Sequence, residues 1–283
     1  MILIADGGST KVDWRLIDKG VGIKQIFTGG MNPFFRTQED VSEEIRHNLL
    51  PQVKEFNIER IYFFGAGCNS AEKNQIISNA ITDNIKCSYV EVNSDLLAAA
   101  RGLCGKDKGI ACIIGTGSNS CYYDGDDIIS NISPLGYILG DEGSGAVIGR
   151  LFIGACLKNQ LTSGLKEKFL NEYNLTPVSI LDKVYKQPMP NRFLAGLSPF
   201  IHSHIEDETI YNLVYNTFKD FLVRNVMQYD NHKQLPVHFT GSVAYHYQAV
   251  LRKVLSELDI TVGNITQSPM EGLIQYYSEI KSI

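Results

Sequence analysis

One pattern occurs twice in this chain and constrains its fold more than any other feature: an apolar run, a turn rich in glycine and hydroxyl groups, and a second strand-like run. Short apolar runs bounded by glycine turns predict buried β-strands joined as hairpins. The two turns are Asp6-Gly7-Gly8-Ser9-Thr10-Lys11, near the start of the chain, and Gly115-Thr116-Gly117-Ser118-Asn119-Ser120, near its middle. The repetition predicts two related lobes, each of which opens with the same kind of hairpin.

The composition of both turns suits the binding of phosphate. Glycine has no Cβ atom, so backbone N–H groups in these turns can approach an anion closely. Ser9 and Thr10 add hydroxyl donors, and Lys11 adds a cation. The alternative interpretation of the first turn alone is an ordinary hairpin turn. The recurrence favours two phosphate-binding loops, which would clasp a polyphosphate from both sides if they faced each other.

Two acidic residues lie where a predicted strand meets a loop or a helix. Asp6 ends the first strand, where open α/β sheets place their ligands, and a carboxylate beside a phosphate loop is a good partner for hydrated Mg²⁺. Asp95 follows a predicted strand over 88–92 and lies in the first turn of an alanine-rich helix that Asn93 or Ser94 can cap. First-turn acids commonly only complement the helix dipole. The position of Asp95 just before the second hairpin favours instead a catalytic base held over a cleft between the lobes.

The rest of the chain alternates strands and helices, as in an α/β protein. An amphipathic helical pattern covers 37–56, and Pro51 inside it can kink or end that helix. The segment 163–230 is mostly helical. The other predicted strands cover 22–28, 61–64 and 236–240, and the other predicted helices cover 71–82, 146–157 and the segment from Gly241-Ser242 to about 258. A final helix is predicted from about 270 onward, with an apolar face formed by Leu273, Tyr276, Tyr277 and Ile280. A short polar hinge over 104–109 predicts an N-terminal lobe of residues 1–107, completed by the C-terminal helix (about 270–283), and a C-terminal lobe of residues 108–269.

Composition narrows the function classes. A length of 283 residues suggests two domains, and 44% apolar with 20% charged residues is typical of a globular protein. The net charge of −5 and the lack of a basic run argue against nucleic acid as the main partner. No apolar stretch reaches the ~20 residues of a membrane span, and the chain starts on a strand rather than a signal peptide. Six cysteines without Cys-x-x-Cys or histidine ligand spacing predict reduced thiols in the cytoplasm and no structural zinc.

These motifs resemble those of the N-acetylglucosamine kinase and BadF/BadG/BcrA/BcrD ATPase family, within the superfamily of sugar kinases, heat-shock proteins and actin. The resemblance covers nearly the whole chain. It implies an α/β fold of two actin-like (ribonuclease H-like) lobes with a nucleotide and sugar cleft between them. The residues that carry it are Asp6 to Lys11, Asn32, Gly65-Ala66-Gly67, Asp95, Gly115 to Asn119, Gly136 to Gly145 and Gly241-Ser242.

The resemblance implies an ATP-dependent hexosamine kinase that phosphorylates a 6-hydroxyl group. On this analogy Asp95 accepts the hydroxyl proton and Asp6 positions Mg²⁺ through water. It also implies a small-molecule sugar as the partner and allows a homodimer. The implied phosphate ligands are Gly7, Gly8, Ser9, Thr10, Lys11, Gly115, Thr116 and Gly117, the base and ribose ligands are Gly241 and Ser242, and the sugar ligands are Asn32, Gly67, Ser118, Asn119, Gly136 and Asp141.

Two other functions fit the same family and fold. One is an ATPase activator of a 2-hydroxyacyl-CoA dehydratase or benzoyl-CoA reductase type system, which carries an iron–sulfur cluster between subunits. Its second loop has a Gly-Gly-Gln-Asp character, whereas this chain has Gly115-Thr116-Gly117-Ser118, and Cys112 and Cys121 lie in apolar strand context. The other is a non-catalytic sugar sensor, against which the intact Asp95 and the lack of a DNA-binding segment count.

The chain departs from the kinase pattern at one place. Ser133-Pro134-Leu135-Gly136 stands where these kinases often carry Gly-Gly-Trp-Gly, so Leu135 replaces an aromatic plane. The apolar packing that one side chain offers to a substrate changes discrimination between substrates by about 1–3 kcal/mol. We therefore expect N-acetylglucosamine to be the best simple substrate, with room for a bulkier hexosamine that has a 3-O substituent.

Overall fold

A computed structural model describes residues 1–8 and 10–278 of the chain. The chain divides into two compact units. Unit 1 comprises Met1–Asp107, Gly125–Asp127 and the C-terminal residues from Pro269, and unit 2 comprises Lys108–Asp124 and Ile128–Ser268. Each unit contains one five-stranded sheet and its own apolar core.

The two sheets have the same topology. The first has the strand order β3-β2-β1-β4-β5, and the second has the order β8-β7-β6-β9-β10 when read from its other edge. In each, three antiparallel strands are followed by two further strands that run parallel to the first. The strands are β1 Ile2–Gly7, β2 Lys11–Asp18, β3 Val21–Gly29, β4 Arg60–Gly65, β5 Tyr89–Ser94, β6 Gly109–Ile114, β7 Ser118–Tyr123, β8 Ile128–Ile132, β9 Val237–Thr240 and β10 Val262–Thr266. The predicted duplication of the hairpin is therefore confirmed and extends to the whole sheet.

Helices cover most of the remaining chain, and residues 163–230 are largely helical as predicted. Among the described residues, no helix is both long and apolar enough to span a lipid bilayer. The α-helices are α1 Gln38–Glu44, α2 Leu50–Val53, α3 Ala71–Asn84, α4 Asp95–Cys104, α5 Gly136–Leu139, α6 Gly145–Leu157, α7 Leu165–Glu172, α8 Pro177–Tyr185, α9 Pro190–Ala195, α10 Ser198–Ser203, α11 Glu208–Arg224, α12 Ser242–His246, α13 Gln248–Glu257 and α14 Met270–Ser278.

The amphipathic helix predicted over 37–56 forms, but Pro51 does not end it. A π-helical segment, Ile45–Leu49, joins α1 to α2, and the backbone N–H of Leu50 donates to the carbonyl of Ile45. Proline has no N–H and cannot make the usual bond to the carbonyl four residues before it. The wider π turn lets the helix pass Pro51 while the four apolar residues of the pattern stay buried, namely Val41, Ile45, Leu49 and Val53.

Two features of the C-terminal third differ from the sequence prediction. Strand β10 was not predicted, because Gly263 and Asn264 interrupt its short apolar pattern and its register against β9 shifts between Val262 and Ile265. The single helix predicted to reach about residue 258 is two helices that meet at Tyr247. The Tyr247 ring is buried there, and its hydroxyl donates to the carbonyl of Ser198 at 2.8 Å. A buried polar group anchored in this way fixes the break in the helix.

The final helix follows the prediction. Leu273, Tyr276 and Tyr277 of α14 are buried on one face, and the Tyr277 ring stacks on Tyr62 of β4 at 3.9 Å between centroids. Ile280, the fourth residue of the predicted apolar face, lies outside the described residues.

Candidate active site

In unit 1, the strand register brings three loops to one edge of the sheet. Gly7 of β1 is level with Gly65 of β4, and Gly65 is level with Ser94 of β5. These strands are parallel, so the segments that follow them leave the sheet on the same side. Asp6, the glycine turn after β4 and Asp95, the residue after Ser94, therefore meet at the carboxyl edge of this sheet.

The first hairpin loop is closed by its own backbone. The N–H of Gly8 donates to the carbonyl of Lys11 at 2.9 Å, and a Cβ atom on Gly7 would lie 2.9 Å from the Phe63 ring. The carbonyl of Thr10 accepts from the N–H of Gly30 at 2.9 Å. The Lys11 ammonium lies 4.3 Å from the centroid of the Phe27 ring, a cation–π contact. Ser9, which the sequence assigned to the same loop, lies outside the described residues.

Asp95 is the first residue of α4 and is partly buried. The Ser94 side chain caps the helix by accepting from the N–H of Leu97 at 3.2 Å. Burial raises the pKa of Asp95, and hydrogen bonds from the backbone N–H groups of Leu96 and Asp95 only partly offset this. Burial, with a smaller contribution from the Asp95 charge, raises the pKa of the neighbouring Cys68 to about 12. Asp95 is thus a carboxylate of raised basicity next to a thiol that stays protonated.

Asn32 and Gly67 are in direct contact in unit 1. A Cβ atom on Gly67, whose φ is +85°, would lie 2.4 Å from Oδ1 of Asn32. That oxygen accepts from the N–H of Phe34 at 2.9 Å, and Asn32 is 8% exposed. Only glycine fits at position 67, because both the backbone conformation and the Asn32 side chain exclude a larger residue. The Phe34 ring beside them is 56% exposed.

Asp6 has a second carboxylate opposite it. Asp13 is its cross-strand partner on β2, and the Asp13 carboxylate accepts from Arg15 at 3.0 Å and from Gln25 at 3.1 Å. The described residues include no group of three or more His, Cys, Asp or Glu side chains that could hold a metal ion. Two carboxylates on neighbouring strands suit an ion that keeps most of its water, which is how Mg²⁺ binds beside phosphates.

In unit 2, the loop after β6 is fixed through its carbonyl groups and leaves backbone donors available. The carbonyls of Gly115 and Thr116 accept from the first N–H groups of α6 at 2.8 and 3.1 Å. The N–H of Gly115 donates to the carbonyl of Gly117 at 2.9 Å. The N–H groups of Thr116 and Gly117 donate to no group among the described residues. Two free N–H donors in a rigid glycine turn are suited to an anion.

Asp141 lies against this loop. Its Oδ1 accepts from the N–H of Ser118 at 3.4 Å, and a Cβ atom on Gly117 would lie 3.0 Å from its Oδ2. Asp141 has a φ of +52°, and its N–H donates to the carbonyl of Pro134 at 2.8 Å. Burial raises the pKa of Asp141 to about 6, partly offset by the bond from Ser118, and the Glu142 charge raises it further.

Glu142 is buried beside Asp141 and is paired with α11 and the residue after it. Its carboxylate binds Arg224 at 2.5 Å and accepts from Asn225 at 3.3 Å. Both partners hold the Asp141–Glu142 segment in its unusual backbone conformation. The Arg224 side chain is 59% exposed, whereas the Glu142 carboxylate is buried and would lose hydrogen bonds if either partner were removed. Glu142 is therefore better placed to hold this segment than to bind a ligand.

Three further predicted sugar ligands lie near this loop or after β8. Ser118 is buried at the start of β7, and Asn119 is the next residue of that strand. Gly136 begins α5 with a φ of +76°, and a Cβ atom on it would have no neighbour within 4 Å in the part of the chain that the structure describes. Leu135, which precedes it, is 59% exposed.

Gly241 joins the second loop to a cavity. Its φ is +111°, and a Cβ atom on it would lie 2.4 Å from the carbonyl oxygen of Ile114 and 3.3 Å from the N of Gly115. Ser242, the first residue of α12, lines a cavity of about 480 Å³ together with residues of α9 and α10 and with His202 and His246. The structure therefore brings the phosphate-type loop, Gly241-Ser242 and a cavity large enough for a small ligand together within unit 2.

The family comparison decides the identity of this fold. The model of the BadF/BadG/BcrA/BcrD ATPase family matches residues 5–274, which is nearly the whole chain. The chain belongs to that family. Both hairpin loops, Asp95 and Gly241-Ser242 lie inside the region that matches the BadF/BadG/BcrA/BcrD ATPase family.

Known proteins agree with this assignment. A solved structure from Porphyromonas gingivalis, named as a candidate N-acetylglucosamine kinase, is 50% identical, covers 100% of both chains and has a TM-score of 0.94. The N-acetylmuramic acid/N-acetylglucosamine kinase of Clostridium acetobutylicum is 25% identical over an aligned length of 212, and the alignment covers 70% of this chain and 68% of that protein. A ROK family glucokinase from Streptomyces griseus, solved with glucose and AMPPNP, is 13% identical with a TM-score of 0.56 over 97% of each chain, and shows the shared fold alone. The predicted family and actin-like fold are confirmed.

Sequence reasoning missed several side chains around these loops. Phe34 follows Asn32-Pro33, and an aromatic residue beside a predicted ligand was a signal that could have found it. His202 and His246 belong to no motif in the sequence, and only the fold brings them to one cavity. Asn131 of β8 had no signal of its own, because a polar residue in an edge strand is ordinary.

Proposed function

We propose that this protein is an ATP-dependent amino-sugar kinase that transfers a phosphoryl group to the 6-hydroxyl of N-acetylglucosamine or a related hexosamine. The observation that carries the proposal is the position of Asp95, at the N-terminus of α4 and on the same sheet edge as Asp6 and the first glycine loop. The 50% identity to the candidate N-acetylglucosamine kinase from Porphyromonas gingivalis supports it.

Asp95 is proposed as the general base. Phosphoryl transfer depends mainly on positioning and on neutralising charge, with one carboxylate to orient the attacking hydroxyl. The raised pKa of Asp95 makes it a better proton acceptor than a solvated carboxylate. Cys68 stays neutral beside it and therefore does not compete for the proton.

The two glycine loops are proposed to hold the phosphates of ATP. In the second loop, the N–H groups of Thr116 and Gly117 are the donors. In the first loop, Gly7, Gly8 and Thr10 offer close backbone approach, and Lys11 would exchange its contact with Phe27 for a phosphate oxygen. Ser9 keeps its proposed role from the sequence. Asp6 is proposed to hold Mg²⁺ through water, and the ion would neutralise charge on the phosphates.

The sugar is proposed to bind Asn32 and Gly67 in unit 1, and Ser118, Asn119, Gly136 and Asp141 in unit 2. Asn32 and Asp141 are both held by backbone bonds, so each presents a preset group to the sugar. Exposed Phe34 and Leu135 offer apolar surface to an acetamido methyl or a 3-O substituent. The Clostridium acetobutylicum relative, a kinase of N-acetylmuramic acid and N-acetylglucosamine, supports both candidate substrates.

The adenosine moiety is proposed to occupy the cavity beside Ser242. Gly241 must stay a glycine there, because its Cβ atom would enter the backbone that leads into the phosphate loop. The close approach of Gly241 to Gly115, and the position of Ser242 in the cavity wall, support this placement. We further propose that the enzyme works in the cytoplasm, where ATP is supplied and thiols stay reduced.

The cysteines do not favour the activator function. Cys112 and Cys121 lie in β6 and β7 with 0% exposure. A cluster shared by two subunits needs thiolates at the protein surface. The kinase is therefore the better supported of the two functions of this family.

A sugar panel tests the proposed function directly. We expect ATP-dependent ADP release and sugar phosphate formation with N-acetylglucosamine, N-acetylmuramic acid, glucosamine and glucose, with the highest kcat/KM for an N-acetylated sugar. One apolar contact to the acetamido methyl group predicts a preference of roughly 10–200-fold for the N-acetylated sugar over glucose. If glucose were the best substrate, the proposed choice of sugar would be wrong. If the protein phosphorylated none of these sugars, the proposed kinase function would be wrong.

Sugar affinity is expected to fall as the pH drops below about 6. The pKa of Asp141 is raised to about 6, so its carboxylate accepts sugar hydroxyl protons above that pH and is protonated below it. The expected loss approaches tenfold per pH unit once the group is protonated. Calorimetric titration of N-acetylglucosamine into the Asp95→Asn variant measures this without interference from Asp95. With Asp141→Asn added, the affinity should be weak at every pH. A pH-independent affinity with Asp141 present would contradict its role.

A further inference from the structure

The side chains of Asn119 on β7 and Asn131 on β8 form a hydrogen-bonded pair. Nδ2 of Asn131 donates to Oδ1 of Asn119 at 2.8 Å and to the carbonyl oxygen of Ser120 at 2.6 Å. The backbone N–H of Ser120 also donates to Oδ1 of Asn119, at 2.9 Å. Cys121 pairs with Asn131 in the sheet, so Asn119 is a diagonal neighbour of Asn131 on the same face.

The backbone of Ser120 determines the orientation of both amide groups. A carbonyl oxygen can only accept, so the Asn131 atom that faces it must be the nitrogen. A backbone N–H can only donate, so the Asn119 atom that faces it must be the oxygen. Reversing either amide would place like groups together and lose at least two hydrogen bonds.

This orientation makes Asn119 a pure donor toward a ligand. Its Oδ1 already accepts two hydrogen bonds, which saturates its lone pairs. Its Nδ2 donates to no group among residues 1–8 and 10–278. Whatever binds at Asn119 must therefore offer an acceptor oxygen. A hydroxyl or an acetamido carbonyl meets this requirement, whereas the ammonium group of an unacetylated amino sugar does not.

We propose that Asn131 is a positioning residue that fixes Asn119 as a hydrogen-bond donor to an acceptor oxygen of the amino sugar. This inference rests on the proposed kinase function and adds to it a residue that does not touch the substrate. Under this proposal, a residue of strand β8 determines whether Asn119 acts as a hydrogen-bond donor or as an acceptor toward the sugar.

The test is the isosteric substitution Asn131→Asp. A carboxylate has no N–H, so it would repel both the Ser120 carbonyl and Oδ1 of Asn119. After this substitution only the bond from the Ser120 N–H still favours the donor orientation of Asn119. Attraction between the Asn119 nitrogen and the new carboxylate favours the reversed orientation, which presents oxygen to the sugar. We expect the KM for N-acetylglucosamine to rise about 10–100-fold, because a site that pairs a polar substrate group rejects a mismatched one strongly. The KM for ATP should change less than twofold.

Two variants complete the experiment. Asn171→Asp places the same charge on the exposed surface of α7 in the same unit and should leave both KM values unchanged. Asn131→Ala keeps the bond from the Ser120 N–H and removes only one of the two restraints on Asn119. It should therefore raise the sugar KM by a smaller factor, and it decides the matter if Asn131→Asp does not fold.

The outcomes separate the two levels of the proposal. A folded Asn131→Asp variant with a sugar KM within twofold of the unmodified enzyme would refute the positioning role. Equal increases in the KM for sugar and for ATP would show that Asn131 supports the structure of the unit in general. That result would also refute the positioning role. Failure of the unmodified enzyme to phosphorylate any amino sugar would overturn the kinase function itself, and the positioning role would fall with it.

Discussion

Asp95→Asn is expected to lower kcat for sugar phosphorylation by about 10²–10⁴-fold, which corresponds to about 3–5 kcal/mol of barrier. Asparagine keeps the shape of the side chain, and its oxygen can still accept from the backbone N–H groups of Leu96 and of residue 95. It cannot accept the hydroxyl proton. Initial rates with saturating ATP and N-acetylglucosamine measure the loss, and calorimetric titration should show ATP binding close to that of the unmodified enzyme.

The same substitution is expected to stabilise the fold at neutral pH. The folded-state pKa of Asp95 is raised above its ordinary value of 3.8. Between these two values the unfolded chain carries the charge and the folded chain carries the proton, so stability falls as pH rises through that window. Above the folded-state pKa of Asp95, its ionised carboxylate destabilises the folded state. Asparagine is uncharged and has no such effect. A higher Tm together with lost activity is the combination expected of a group buried for catalysis rather than for packing.

Glu72→Gln is the matched control. Glu72 lies in the first turn of α3 in the same unit and is exposed, so the substitution removes a first-turn charge without touching the sheet edge. It should cost only the dipole interaction, about 0.3–1 kcal/mol of stability, and leave kcat unchanged. Near-normal turnover by Asp95→Asn, with Glu72→Gln behaving as expected, would remove Asp95 from the mechanism.

The repeated hairpin was enough to predict two related lobes, because glycine turns after buried strands leave few alternatives. The alignment that assembles the unit 1 edge could not be predicted. Gly7, Gly65 and Ser94 lie at one level only because β1, β4 and β5 pair in register, and that depends on packing between segments distant in sequence. The sequence placed Asp95 at the start of a helix, but only the register shows it level with the phosphate loop.

The elements that the sequence did not predict depend on packing against other segments rather than on local propensity. Strand β10 is short, contains glycine and asparagine, and gains its stability from β9 and not from local propensity. The π-helical segment before Pro51 exists because burial of four apolar residues outweighs the local preference to end the helix. The role of Asn131 depends on a side chain two positions away on a neighbouring strand, so no local pattern marks it.

Gly115→Val is expected to weaken ATP binding about 100-fold, or about 2.7 kcal/mol, without unfolding the protein. A Cβ atom on Gly115 would have no neighbour within 4 Å among the described residues, and Gly115 is not in the left-handed region. A side chain at this position therefore starts in open space, and a ligand seated on the loop would meet the methyl groups of valine. Gly117→Val is a less specific test, because its Cβ atom would press on Asp141 at 3.0 Å and disturb the sugar ligand as well.

Two glycine controls complete the Gly115 experiment. Gly154→Val on α6 also points its side chain into open space, away from the loop, and should change neither ATP affinity nor Tm by much. Gly241→Ala should instead lower Tm, because a φ of +111° and a carbonyl oxygen at 2.4 Å exclude a side chain. Dissociation constants for ATP and thermal melts of all three variants give the comparison. A Gly115→Val protein that melts normally and binds ATP like the unmodified enzyme would make the second loop a structural turn and would leave Thr116 and Gly117 without their proposed phosphate.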